Sequence, residues 1–136
     1  MTDILDLFRK FTRYSHFTDK ELIRYLTPSI KNNQYKKHYQ DNNLIGFTNW
    51  ALLSNEAEKK ILNNQPLENK DWNSGNNIWH IETVCIMNLG KIISWTKNNL
   101  AKKYGLNKII KWARIEDNKI RSIQKIHSKD NWLWVA

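Results

Sequence analysis

One cysteine in the whole chain, Cys85, rules out an internal disulfide. It lies between Val84 and Ile86, an apolar setting in which a thiol is expected to be an inert core group rather than a nucleophile. With no second thiolate and no ligand spacing among the four histidines, no metal site is expected. Long apolar runs are missing as well. None approaches the roughly 18 residues that cross a bilayer, which excludes stable membrane insertion by a helix. The first residues, Met1-Thr2-Asp3-Ile4-Leu5-Asp6, place acids where a signal peptide places lysines, so a cytoplasmic location is expected. Acids are scarce overall: 13 Asp and Glu against 22 Lys and Arg leave a net charge of +9. That surplus favours an acidic partner, and nucleic acid, anionic membrane and acidic protein all qualify on charge alone. The basic residues are dispersed without a recognised binding signature, despite stretches such as Lys36-Lys37-His38-Tyr39, and this argues against nucleic acid.

With 40% hydrophobic residues in 136, the chain can bury a real core, and no repeat or linker divides it, so residues 1–136 read as a single domain. Ile4, Leu7, Phe8, Phe11 and Tyr14 form a helical stripe behind a Thr2 cap. Thr18-Asp19-Lys20-Glu21 is a capping box opening a second helix through about Leu26, with Pro28 expected to disturb or end it. Gln34–Gln40 and Leu44–Ala51 read as a hairpin around Asp41-Asn42-Asn43. A short helix runs from Ser54 to Leu62, and a polar loop covers 63–77. In the strand Ile78–Met87, period two puts Trp79, Ile81, Thr83 and Cys85 on one face, and Ile78, His80, Glu82, Val84 and Ile86 on the other. A basic helix from Lys91 to Tyr104 closes at Gly105, and a last hairpin pairs Ile109–Glu116 with Lys119–His127. This order predicts an α+β fold with helices packed on a mostly antiparallel sheet.

Several short motifs then fall into register. His16 precedes Pro28-Ser29-Ile30 and Asn33-Gln34-Tyr35. Trp50-Ala51-Leu52-Leu53-Ser54 follows, with Glu56 and Glu58, then Asp71-Trp72-Asn73-Ser74-Gly75, Trp79-His80-Ile81-Glu82 and Ala113-Arg114. In these residues the chain resembles the RTX toxin-activating lysine acyltransferases, the hemolysin-activating proteins. The resemblance implies a fold similar to GNAT acetyltransferases, often in a homodimer. It also implies transfer of a fatty acyl group from acyl carrier protein to internal lysines of an RTX protoxin. No bound cofactor is implied; the donor is the acyl thioester on the carrier. The family's catalytic His carries over to His16 and its strand acid to Glu82, one methylene longer than the family's Asp. A second departure is Arg13, which stands where the family commonly has a serine.

The residue types suit the reaction. A lysine amine, with a reference value of about 10.4, is protonated at neutral pH and cannot attack a thioester in that state. An imidazole can accept its proton, and a carboxylate beside the ring can fix the tautomer. His16 is therefore the expected general base, or the site of an acyl-imidazole intermediate, and Glu82 its orienter. Arg114 is a candidate for holding an acidic group of donor or acceptor, and Trp72 and Trp79 for lining an acyl groove. Lys91, Lys97, Lys102 and Lys103 could dock an acidic carrier. The single Gly90 near the start of that helix is poor material for a phosphate nest, which favours a protein-borne donor over coenzyme A. The competing reading is a catalytically silent relative that binds a partner without modifying it.

Overall fold

The computed structural model describes residues 1–105, 108–116 and 119–127, with side chains described through residue 113. The chain runs α1 (Thr2–Phe8), a 3-10 turn (Thr12–Tyr14), α2 (Asp19–Lys31), β1 (Tyr35–Gln40), β2 (Asn43–Leu53) and α3 (Asn55–Leu62). A second 3-10 turn (Asn69–Asp71), β3 (Asn77–Cys85), α4 (Leu89–Tyr104), β4 (Ile109–Glu116) and β5 (Lys119–His127) complete it. The five strands form one sheet in sequential order. All neighbours pair antiparallel except β3 and β4, which run parallel on either side of the α4 crossover. The expected α+β fold and mostly antiparallel sheet are what the chain adopts.

Local chemistry explains most boundaries. Asp41 and Asn42 both take positive φ (51° and 66°), the two-residue turn whose twist matches a hairpin. The Thr18 capping box forms in full, and Ser54 caps α3 through the Ala57 amide. Three expectations are corrected. Thr2 does not cap the first helix but is its first residue, after Met1. The first helix ends at Phe8, because Phe11 is extended and Arg9 reaches over to the Tyr14 and Phe17 carbonyls. The stripe residues still share one cluster, since the 3-10 turn folds Tyr14 back onto Phe8 at 4.9 Å between ring centroids. Pro28 does not end α2, which continues to Lys31. An interior proline costs about 3 kcal/mol. Complete burial of Leu22 and Leu26, worth about 2 kcal/mol each, offsets it.

The decisive feature for function is a β-bulge in β3. Asn49 faces Glu82 and Trp50 faces His80, so Ile81 is the extra residue. Alternation shifts there. Ile78 packs beneath α4 with Trp50, Leu100 and Ile110. Trp79 and Ile81 pack with Ala51, Leu53, Ala57 and Trp72 beneath α3, while Val84 joins the cluster under α1 and α2. His80 and Glu82, which strict alternation would place on one face, lie on opposite faces of the sheet. His80 hydrogen-bonds Thr83 on the α4 side, and Glu82 meets Tyr14 and Tyr25 on the other.

The Asp71–Gly75 motif is a clamp that fastens the 63–77 loop to the end of β2. Leu52 donates its amide to the Trp72 carbonyl, the Ser74 and Gly75 amides donate to the Leu52 carbonyl, and Ser54 donates its amide to Ser74 Oγ. The Asp71 carboxylate accepts from Lys60 at 2.7 Å and from the Glu68 amide. Gly75 is required by close approach: a Cβ there would stand 2.6 Å from Ser54 Cα and 2.7 Å from the Leu53 carbonyl oxygen. Both are backbone atoms that cannot swing aside. Gly75→Ala is expected to lower stability by about 2–3 kcal/mol, measured by urea unfolding; a change below about 0.5 kcal/mol would contradict the clamp.

Candidate active site

The Glu82 carboxylate is only 11% exposed and collects three donors. Arg13 Nη2 lies 2.5 Å from Oε1, and the Tyr14 and Tyr25 hydroxyls both donate to Oε2, the latter at 3.2 Å. Burial pushes the carboxyl upward, while Tyr14, Arg13 and Tyr25 pull it back. Both phenols are pushed well above their ordinary value, by burial first and then by Glu82, so each remains a donor. Arg13 and Glu82, the two positions where the sequence resemblance gives a departure, are thus in direct contact.

His16 lies just beyond that grip, in the turn between Tyr14 and the Thr18 cap, and is exposed. The fold brings its segment to Glu82 through Arg13 and Tyr14. No hydrogen bond or ion pair joins His16 to Glu82. Arg13, Tyr14 and Tyr25 are the site residues that sequence reasoning missed. Tyr14 read as part of an apolar stripe, and only its hydroxyl at a core position hinted at a buried acceptor.

Trp79 is 1% exposed and gives its indole N–H to Glu58 at 2.8 Å, while Lys111 pairs with the same carboxylate. Trp72 is buried, with an edge on an open groove between α2 and residues 66–72; Tyr25 and Ile81 also line that groove. Arg114 lies on β4, but its side chain is outside the described residues, as is the Trp132-Leu133-Trp134 tail. Lys97 turns inward, 6% exposed, so it does not belong with Lys91, Lys102 and Lys103 as a docking cation. Burial pushes the Cys85 thiol up, which disfavours a thiolate. Among the described residues no three His, Cys, Asp or Glu side chains converge as metal ligands, and no helix is long and apolar enough to cross a membrane.

On the opposite face a polar chain, buried at His38 and Thr48 and half-buried at Thr83 and His80, crosses three strands. His38 Nε2 lies 2.9 Å from Thr48 Oγ1, Thr48 Oγ1 lies 3.3 Å from Thr83 Oγ1, and Thr83 Oγ1 lies 2.6 Å from His80 Nε2. One imidazole donating and the other accepting gives each hydroxyl one bond to make and one to receive, which needs the accepting ring to be neutral. Burial, reinforced by Lys36 near His38 and Lys97 near His80, brings both imidazoles down to about 4. A depressed histidine contributes stability that is complete above the unfolded value of 6.5 and is lost as pH falls toward about 4. Together they are expected to withdraw at least about 3 kcal/mol over that interval. Urea unfolding at several pH values tests this, because His80→Gln should flatten the slope; an unchanged slope would show that His80 has no part in acid stability.

With this geometry in place, the relatives are informative. Over 118 residues the chain is 31% identical to an uncharacterised protein of Synechocystis sp., covering 84% of this chain and 78% of that protein. An RTX-II toxin-activating lysine-acyltransferase of Actinobacillus pleuropneumoniae is 33% identical over 64 residues, 46% of this chain and 40% of its own. A protein-lysine myristoyltransferase of Escherichia coli is 40% identical over 58 residues, 42% of this chain and 33% of its own. The chain therefore spans less than half the length of these two enzymes in the matched regions. Residues 1–127 match the RTX toxin acyltransferase family, and this chain belongs to that family.

Proposed function

We propose that the protein transfers a fatty acyl group from acyl carrier protein to an internal lysine of an RTX protoxin in the cytoplasm. The observation that carries this reading is the almost buried Glu82, gripped by the segment that presents an exposed histidine. The acceptor lysine first gives its ammonium proton to solvent and attacks as a neutral amine. As its nitrogen bonds to the thioester carbonyl carbon, His16 takes the nitrogen's proton. The C–S bond then breaks and that proton passes to the departing sulfur, leaving an amide and the carrier thiol. Glu82 is a positioning residue: through Arg13 and Tyr14 it holds the loop that carries His16. The electropositive chain suits an acidic carrier.

The test is intact-mass detection of acyl transfer from acyl carrier protein to a candidate RTX protoxin. A gain of one acyl chain that depends on a single lysine supports the reading. A folded protein that binds the carrier and adds no mass at any chain length refutes it. One observation favours a second reading, a silent partner-binding relative: Glu82 is engaged by Arg13, Tyr14 and Tyr25, with no bond to His16. That same null result with carrier binding is what it predicts.

A further inference from the structure

Four of the eight large apolar side chains left exposed among the described residues lie at one end of the sheet. Tyr39 is 53% exposed, Ile86 and Met87 are 45% each and Leu89 is 56%. The last three sit on the turn that carries the chain from β3 into α4, where Asn88 takes a left-handed conformation (φ 62°). Tyr39 lies near the end of β1, and two bonds tie the β1–β2 hairpin to that turn. Asn88 Nδ2 donates to Gln40 Oε1 at 2.5 Å, and the Ile86 amide donates to the Ile45 carbonyl at 2.9 Å. The four side chains therefore form one apolar tip, and a contiguous patch of that kind marks an interaction site. Beside the tip runs a groove between β1 and α4. Lys36, Lys37 and Lys91 line it together with Tyr39, Asn88 and Trp95, and among the described residues no acid does. Lys37 is paired with Asp3 at 2.9 Å, whereas Lys36 and Lys91 have no carboxylate partner among the described residues. Lys36 sets its ammonium 5.6 Å from the Trp95 ring centre. The acids of this end, Asp3, Asp6 and Asp41, line a separate hollow on the α1 side of the hairpin.

We propose that this end of the molecule docks reversibly on an anionic lipid bilayer, with Ile86, Met87, Leu89 and Tyr39 entering the headgroup region and Lys36 and Lys91 meeting lipid phosphates. The proposal goes beyond the acyl-transfer reading and does not depend on it. Apolar side chains on a turn, with cations beside them, supply together the two contributions that peripheral membrane attachment needs. A lysine stem lies along apolar surface while its ammonium reaches a phosphate. Tyr39 and Trp95 are the amphipathic rings favoured at that depth. The net charge of +9 draws the whole chain toward such a surface, and the tip is what orients it there. An acidic protein would also answer the lysines, but the tip argues against one. Four half-exposed side chains fall well short of the roughly 800 Å² that a stable protein interface takes from each partner. A bilayer accepts projecting side chains singly and needs no matching surface.

The experiment is co-sedimentation of the full chain with vesicles of pure phosphatidylcholine and of equal parts phosphatidylcholine and phosphatidylglycerol, alongside binding to acyl carrier protein. The chain should bind the anionic vesicles and not the neutral ones. Replacing Met87 and Leu89 together by serine should lower the affinity at least about tenfold. Replacing Lys36 and Lys91 together by glutamine should lower it about twentyfold, from about fivefold for each lysine. Leu62→Ser is the control, because Leu62 is 49% exposed but lies on α3, and it should bind as the wild type does. Unchanged circular dichroism shows that each variant is folded, and the two double variants test the tip and the groove independently. Absence of binding to anionic vesicles, equal binding to neutral ones, or an affinity that neither double variant moves would overturn the proposal. An equal loss in Leu62→Ser would do the same. If the serine variant keeps the vesicles and loses acyl carrier protein instead, the tip is a protein-docking surface and the proposal falls.

Discussion

Replacing His16 with alanine is expected to cut acyl transfer at least about a hundredfold while leaving the protein as stable as before. The two halves of this expectation have separate grounds. A general base in the transition state contributes about 10²–10⁴-fold, and no other histidine can substitute among those described. On the far face of the sheet His38 is buried and His80 half-buried, and both are committed to threonines. The stability half follows from exposure: among the described residues the His16 side chain makes no hydrogen bond or ion pair, so truncation removes no such contact from the fold. Transfer is read by intact mass and stability by urea unfolding. Near-normal transfer would remove His16 from the chemistry in both the general-base and the acyl-imidazole versions. Lost transfer accompanied by unfolding would mean that the residue is structural.

Glu82 should separate charge from shape. Glu82→Ala leaves the Tyr14 and Tyr25 hydroxyls without their acceptor in a largely buried site. Each orphaned hydroxyl costs about 1–3 kcal/mol, so a loss of about 2–4 kcal/mol is expected. Glu82→Gln keeps the size and one acceptor oxygen. Because burial already opposes the ionised form, the amide should cost much less, under about 1.5 kcal/mol. Arg13→Ser should cost less than about 1 kcal/mol, since the arginine side chain is 59% exposed and its pairing is screened by water. Activity is expected to follow a different order. Glu82→Gln and Arg13→Ser both loosen the loop that carries His16, so both should lower kcat while keeping the fold. Denaturant melts and single-turnover transfer of the three variants decide this. Equal stability of Glu82→Ala and Glu82→Gln would mean that the tyrosines find other acceptors. Unaltered transfer in both Glu82→Gln and Arg13→Ser would mean that the grip has no part in positioning His16.

These two expectations come from different sources. His16 and Glu82 stood out in the sequence through motifs in register and through residue types suited to deprotonating an amine. The partners of Glu82 did not. Arg13 and Tyr14 lie 69 and 68 residues away along the chain, and Tyr25 lies 57 away, separations at which no local pattern operates.

The sequence by itself determined what short-range physics controls. The Thr18 and Ser54 caps, the Asp41-Asn42 turn, the helix stop at Gly105 and the order of helices and strands all depend on neighbours within a few residues. It misjudged α1 and Pro28, where packing outweighs local preference: buried leucines carry α2 past its proline, and Arg9 folds the chain back after Phe8. Only the tertiary structure decided which way the central strand faces. One additional residue at Ile81, set against the pair Asn49 and Trp50, reverses the alternation. Period-two reading cannot detect such an insertion, because a bulge is a property of two strands in register and not of one strand's sequence. That single reversal parts His80 from Glu82, sending one to the α4 side and the other to the arginine and tyrosines beside His16.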